Sequence, residues 1–165
     1  MSGFPRTGVF VALSLVAALT LTVVPIPAWA DDYRPQWVTL ILIYWCLVMP
    51  SRFGIFTGFA LGIAHDVVSG ALLGERALSL SIVAYLAGEL HRRIRVFPLW
   101  QQAVAVWLLL LVERLLSLWV LGASGQPTPA LDYWLPTFVG LVFWLWLSPL
   151  LDWLRLSAGL TLSER

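Results

Sequence analysis

Three charged side chains lie well inside apolar stretches of this 165-residue sequence: Asp66, Glu113 and Arg114. A charge in such a place either satisfies a neighbouring helix or handles protons, ions or solutes. Left alone near a bilayer centre it costs at least ~2.5–3.5 kcal/mol on insertion scales. Asp66 ends the row Gly54-x-x-x-Gly58-x-x-x-Gly62-x-x-x-Asp66. A spacing of four sets all of these residues on one helical ridge, so the carboxylate faces protein rather than lipid. There it would cap or hydrogen-bond a neighbouring helix, accept from the reversal at Ser69-Gly70, or form a proton or ion site. His65 is adjacent, but consecutive helical residues diverge by about 100°, so the two are no natural metal pair. Glu113 and Arg114 lie in the outer half of a later apolar run, within snorkelling reach of its end, and either could instead pair with a partner's helix.

A second small-residue stripe, Ala77, Ser81, Ala84 and Gly88, has spacings of four, three and four. It predicts an antiparallel hairpin with the glycine ridge, turning through residues 69–76 with Gly70 and Gly74 in the turn. Glu75 and Arg76 read as solvated charges at headgroup level. Arg92, Arg93 and Arg95 follow as a basic cluster, an inner-surface anchor that could dock anionic lipid or a cytoplasmic protein.

Recognisable catalytic machinery is missing. The sequence has no Gly-x-Gly-x-x-Gly or Gly-x-x-x-x-Gly-Lys-Ser/Thr loop, no His-Glu-x-x-His and no Gly-x-Ser-x-Gly. With two His, one Cys and all ten basic residues Arg, general bases and nucleophiles are scarce. The pattern points away from an enzyme and implies no cofactor or metal. Cys46 sits in an apolar run and reads as a small apolar residue.

The elements that must position these groups follow from composition. Apolar residues make up 60% and charged residues 12% of the chain, and mean hydropathy is +0.87. Soluble domains run about half apolar and about a quarter charged, so this chain is solvated by lipid. A net charge of +1 argues against nucleic acid as a partner. Six apolar stretches of about 8–29, 34–49, 53–69, 77–89, 99–121 and 133–151 predict one all-α membrane domain over 1–165 with about six transmembrane helices in one bundle. Cytoplasmic segments carry excess Arg. With both termini cytoplasmic, Arg6, Arg52, Arg92, Arg93, Arg95, Arg155 and Arg165 fall inside, while only Arg34 and Arg76 fall outside. Ala28-Trp29-Ala30 before Asp31-Asp32 has the form of a signal-peptidase site, but the long apolar run behind it predicts an uncleaved anchor.

An ordered set of short motifs carries a family resemblance. It runs Arg34-Pro35-Gln36-Trp37, Tyr44-Trp45, Pro50-Ser51-Arg52-Phe53-Gly54, Gly62, Asp66-Val67-Val68-Ser69-Gly70, Leu73-Gly74, Ala77-Leu78, Tyr85 and Phe97-Pro98-Leu99-Trp100-Gln101-Gln102. Over about residues 34–121 this order resembles the rod shape-determining MreD family of Gram-negative bacteria. His65 and Glu75-Arg76 depart locally from the pattern. The resemblance implies a non-enzymatic inner-membrane protein of the elongasome, a scaffold or regulator of lateral peptidoglycan synthesis and rod shape. Its implied partners are MreC first, then MreB, RodA and a class B penicillin-binding transpeptidase. The family supplies no catalytic residues to transfer. At fold level it is similar to the six-helix substrate-binding subunits of vitamin transporters, which leaves a small-molecule binding or transport subunit as the alternative.

Overall fold

A computed structural model describes residues 4–127 and 130–157, with side chains from residue 7 onward. These residues are helical, with α1 (Phe4–Val23), a short α2 (Ala28–Asp31), α3 (Trp37–Val48), α4 (Ile55–Ser69), α5 (Glu75–Ile94), α6 (Leu99–Ala123), a 3-10 turn (Leu131–Trp134) and α7 (Leu135–Ser157). Prolines punctuate them, as expected of a residue that cannot donate to a preceding turn. Pro25 and Pro27 separate α1 from α2, Pro35 and Pro50 flank α3, and Pro98 precedes α6. The α4–α5 reversal turns on Gly70 and Gly74, whose φ values of 63° and 101° disfavour any side chain.

Each of the six apolar stretches overlaps a helix, with shifted ends. The stretch at 8–29 is interrupted after Val23. The one expected at 77–89 is a full helix, Glu75–Ile94. At 20 residues α5 is about 30 Å long. By length and composition, α6 and the segment Leu131–Ser157 pass as candidate membrane spans.

α3 is the centre of the assembly. Every residue from Val38 to Val48 is buried. Its sequence is apolar on all faces, which is how a helix reads when protein surrounds it. It packs against α1, α4, α5, α6 and α7. Its 12 residues extend only about 18 Å, short of the bilayer core. The longer helices sheathe this central rod.

The tightest seam joins α4 to α5. A Cβ built on Gly58 would lie 2.5 Å from the Leu80 carbonyl oxygen and 3.0 Å from the Ala84 Cβ. On Gly62 it would lie 2.5 Å from the Ala77 nitrogen and 2.6 Å from the Arg76 carbonyl oxygen. Close backbone approach of this kind gives helices dispersion contact where lipid removes the hydrophobic drive between them. The ridge is narrower than its four-residue repeat suggests. A Cβ on Gly54 or Gly88 would meet nothing within 4 Å. The glycine face is also covered by α5, so Gly58 and Gly62 are unavailable to another protein.

α1 is tied to the core through α3. Trp45 donates its indole N–H to the Ser14 hydroxyl at 2.9 Å, and Phe10 packs edge-on to Trp45. Arg34 donates to the carbonyls of Thr22 and Val24, satisfying groups that a helix end leaves open. The segment Ala28-Trp29-Ala30 is itself part of a helix.

α7 buries Pro136, Thr137, Gly140, Trp144, Ser148 and Leu151 along one side. Its other side exposes Phe138, Val142, Trp146, Leu150 and Trp153. The outside is thus as apolar as the inside. Phe56 on α4 is 90% exposed and Trp146 77%.

Candidate functional site: a buried polar network at one end of the bundle

The starts of α3, α5 and α7 meet the ends of α4 and α6 at one end of the bundle. Most of the chain's buried charge collects there. Asp66 is completely buried. One carboxylate oxygen accepts from the Gly74 N–H at 2.8 Å, and the other accepts from the Arg76 N–H at 3.2 Å. The last turn of α4 therefore caps the first turn of α5, where N–H groups lack intrahelical partners and the helix dipole favours an anion. Neither Gly74 nor any side chain of α5 supplies that cap.

Glu113, 1% exposed, is the second buried carboxylate. One of its oxygens lies 3.6 Å from an Arg76 guanidinium nitrogen, while the other accepts from the Gln36 side-chain amide. Three helices thus converge on one carboxylate: α6 contributes Glu113, α5 contributes Arg76, and Gln36 comes from the cap of α3. Glu75 is buried beside them, and its carbonyl accepts from Ser79, whose hydroxyl lies 3.4 Å from that of Ser117. Arg114 does not enter the cluster. Its guanidinium sits 4.3 Å over the Tyr133 ring, and the Tyr133 hydroxyl donates to the Arg114 carbonyl at 3.3 Å.

The opposite end has a smaller junction. The Tyr44 hydroxyl donates to Asp152 at 2.7 Å, and Arg155 reaches the same carboxylate at 3.2 Å. Arg52, Arg92, Arg93 and Arg95 are exposed around it. The two ends differ in charge. The first holds Asp31, Asp32, Asp66, Glu75, Glu113 and Asp132 against Arg34, Arg76 and Arg114, a net of −3. Among the described residues, the second holds Arg52, Arg92, Arg93, Arg95 and Arg155 against Glu89 and Asp152, a net of +3.

The structure therefore brings Asp66 and Glu113 to one end, bridged by Arg76, and places Arg114 on a separate aromatic face. Glu75 and Arg76, read from sequence as solvated turn charges, are members of the buried network. In the sequence Gln36 figures only as part of the Arg34-Pro35-Gln36-Trp37 motif, with no role assigned, and Ser117 carries no signal. Of the small-residue stripe on α5, Ala77 and Ala84 face the glycines of α4. Ser81 turns its hydroxyl onto its own helix, donating to the Ala77 carbonyl at 2.5 Å. Among the motif residues, Arg34 holds α1, Pro35 opens α3, Trp37 packs edge-on to Phe143, Tyr44 ties α3 to α7, and Pro50 follows α3. No group of three or more metal-ligating side chains occurs among the described residues. The polar network supplies helix-to-helix fixation, with the Asp66 and Glu113 carboxylates each engaged by another element.

The family model described as rod shape-determining protein MreD matches residues 5–154. The chain belongs to the MreD family. The matched stretch includes every member of the Asp66–Arg76–Glu113–Gln36 network. A curated MreD relative, the rod shape-determining protein MreD of Haemophilus influenzae (strain ATCC 51907 / DSM 11121 / KW20 / Rd), is 31% identical over 143 residues. That alignment covers 85% of this chain and 86% of the relative. No solved structure gave a significant match. MreD proteins are membrane-associated cell-shape proteins, in keeping with the candidate spans in α6 and α7.

The double engagement of Asp66 yields a graded prediction. Asparagine has one acceptor oxygen, so Asp66→Asn keeps one of the two backbone bonds. It should cost about 1 kcal/mol of folding stability, and Asp66→Ala, which strands both N–H groups, about 2–3 kcal/mol. Unfolding of the detergent-purified variants, followed by tryptophan fluorescence, checks the order. An Asn variant as damaged as the Ala variant would show that charge, not hydrogen bonding, is required.

Proposed function

We propose that this MreD-family chain is a non-enzymatic, six-span scaffold of the bacterial inner membrane that supports lateral wall synthesis and rod shape through contacts with MreC and the wall synthases. Family membership over residues 5–154 is the observation that carries the function. The arrangement is supported by the apolar outer surface lying between an acidic and a basic end. A contiguous apolar exterior of that kind belongs in lipid or against another membrane protein. The excess of Arg at the second end supports a cytoplasmic position for that end and for both termini. The first end, with its buried network, then faces the periplasm.

Rigid packing suits a scaffold. The network and the glycine seam fix α3, α4, α5 and α6 relative to one another, so their outer faces present a fixed surface to partners. MreC is the first expected partner. RodA, its class B transpeptidase and MreB are further members of the complex. The engagement of both Asp66 oxygens by backbone N–H groups favours this reading over a solute-binding subunit. Affinity purification of the tagged full chain from its native membranes tests it. MreC and the synthase pair should be recovered. Recovery of neither, from membranes in which tagged MreC does recover the synthases, would contradict the reading.

A further inference from the structure

The basic end combines two kinds of surface within a few residues. Arg92 and Arg93 project exposed from the last turn of α5, and Arg95 is exposed in the turn that follows. Directly after them, Val96 is 82% exposed, Phe97 is also exposed, and Trp100 in the first turn of α6 is 63% exposed. Trp153, on the last turns of α7 beside Arg155, is 63% exposed. Guanidinium groups are shaped to grip phosphate oxygens through paired N–H donors. The adjoining aromatic and aliphatic side chains suit the upper part of an acyl chain, and Trp is at home at headgroup level.

We propose that the Arg92–Arg93–Arg95 turn, with Val96, Phe97 and Trp100, is a binding site for an anionic phospholipid. The Arg92 and Arg93 guanidinium groups take the headgroup phosphate, and the apolar residues take the first methylenes of the chain. A lipid accounts for both halves of the surface. An acidic water-soluble protein would pair the arginines and leave Val96 and Trp100 in water. The inference rests on the chain being embedded in the membrane, but not on the scaffold role or on MreC.

The test uses the full chain reconstituted into vesicles of three parts phosphatidylcholine to one part phosphatidylglycerol, re-extracted in mild detergent, with retained lipid quantified by mass spectrometry. Phosphatidylglycerol should be enriched over its bulk ratio. Arg92→Gln/Arg93→Gln should reduce the enrichment at least roughly fivefold, since one basic residue near an anionic surface contributes about that factor. Arg92→Lys/Arg93→Lys should retain most of it. A Glu89→Gln control should not lower it. Circular dichroism of each variant guards against unfolding. Retention at the bulk ratio in the wild type would overturn the proposal, as would enrichment unchanged in the Gln variant. A Gln variant that keeps its lipid yet loses a co-purifying cytoplasmic protein would overturn it too, and mark the turn as a protein dock. Failure of the embedded arrangement itself would look different, as a chain that stays monomeric in water without detergent or vesicles.

Discussion

Arg76→Ala is expected to be among the most destabilising single substitutions outside the apolar core. It leaves the Glu113 carboxylate, 1% exposed, with Gln36 as its remaining partner. Removing one member of a buried ion pair costs about 3–5 kcal/mol, because the other charge stays buried without compensation. The surviving Gln36 bond places the expected loss at the lower end of that range. Glu113→Gln should be milder, for two reasons. The amide oxygen can still accept, and the Arg76 side chain is 25% exposed and can turn toward the headgroups. The double variant Arg76→Leu/Glu113→Leu should be more stable than Arg76→Leu alone, since no unpaired charge remains. Thermal unfolding of these four variants, with Glu113→Leu to complete the cycle, gives the comparison in one detergent. Additive losses would mean that Arg76 and Glu113 act independently.

The second large effect belongs to Gly62. The added methyl of Gly62→Ala would collide with backbone atoms of Ala77 and Arg76, which cannot yield unless α5 moves as a whole. Overpacking typically costs about 1–3 kcal/mol, and occasionally more. A rigid backbone obstacle places Gly62→Ala at the upper end, with Gly58→Ala close behind it against the Leu80 carbonyl. Gly54→Ala and Gly88→Ala meet open space, so they should be neutral or slightly stabilising, by up to about 1 kcal/mol through the unfolded chain. Displacing α5 also moves Arg76, the residue next to Ala77. Gly62→Ala and Arg76→Ala should therefore be less than additive. Complementation of rod shape reports the same order in cells, with Gly58→Leu failing where Leu61→Ile succeeds. Equal stability of the Gly54, Gly58 and Gly62 variants would remove the seam from the structure's energetics.

What sequence reveals here depends on how local each interaction is. The α4 ridge was legible because its period of four is a property of one helix. The repeat could not tell which glycines would be covered, since that depends on where α5 crosses. The stretch 77–89 looked short because charges at both ends, Glu75 and Arg76 before it and Arg92 and Arg93 after it, truncate the hydropathy signal. The helix nevertheless continues through them, with Arg76 paired to Glu113 and the arginines at its far end in the open. Asp66 was legible as an inward-facing carboxylate. Its acceptor role was only half legible, because the N–H groups it engages lie 8 and 10 residues on, across a turn shaped by Gly70 and Gly74. Gln36 bonds a residue 77 positions away, and Tyr44 one 108 positions away. Pairs this distant leave no periodic trace, so they emerge only once the helices are assembled.

The reading of this chain as a six-helix membrane unit with its acidic end outside is tested most directly by cysteine labelling in intact cells. Cys46 is buried and can be replaced by Ala to give a silent background. In that background, Ala71→Cys and Ser124→Cys should react with a membrane-impermeant maleimide added from the periplasmic side. Arg93→Cys should react only after the inner membrane is permeabilised. Labelling of Arg93→Cys in intact cells, or protection of Ala71→Cys until permeabilisation, would invert the arrangement and contradict the assignment of the buried network to the periplasmic end.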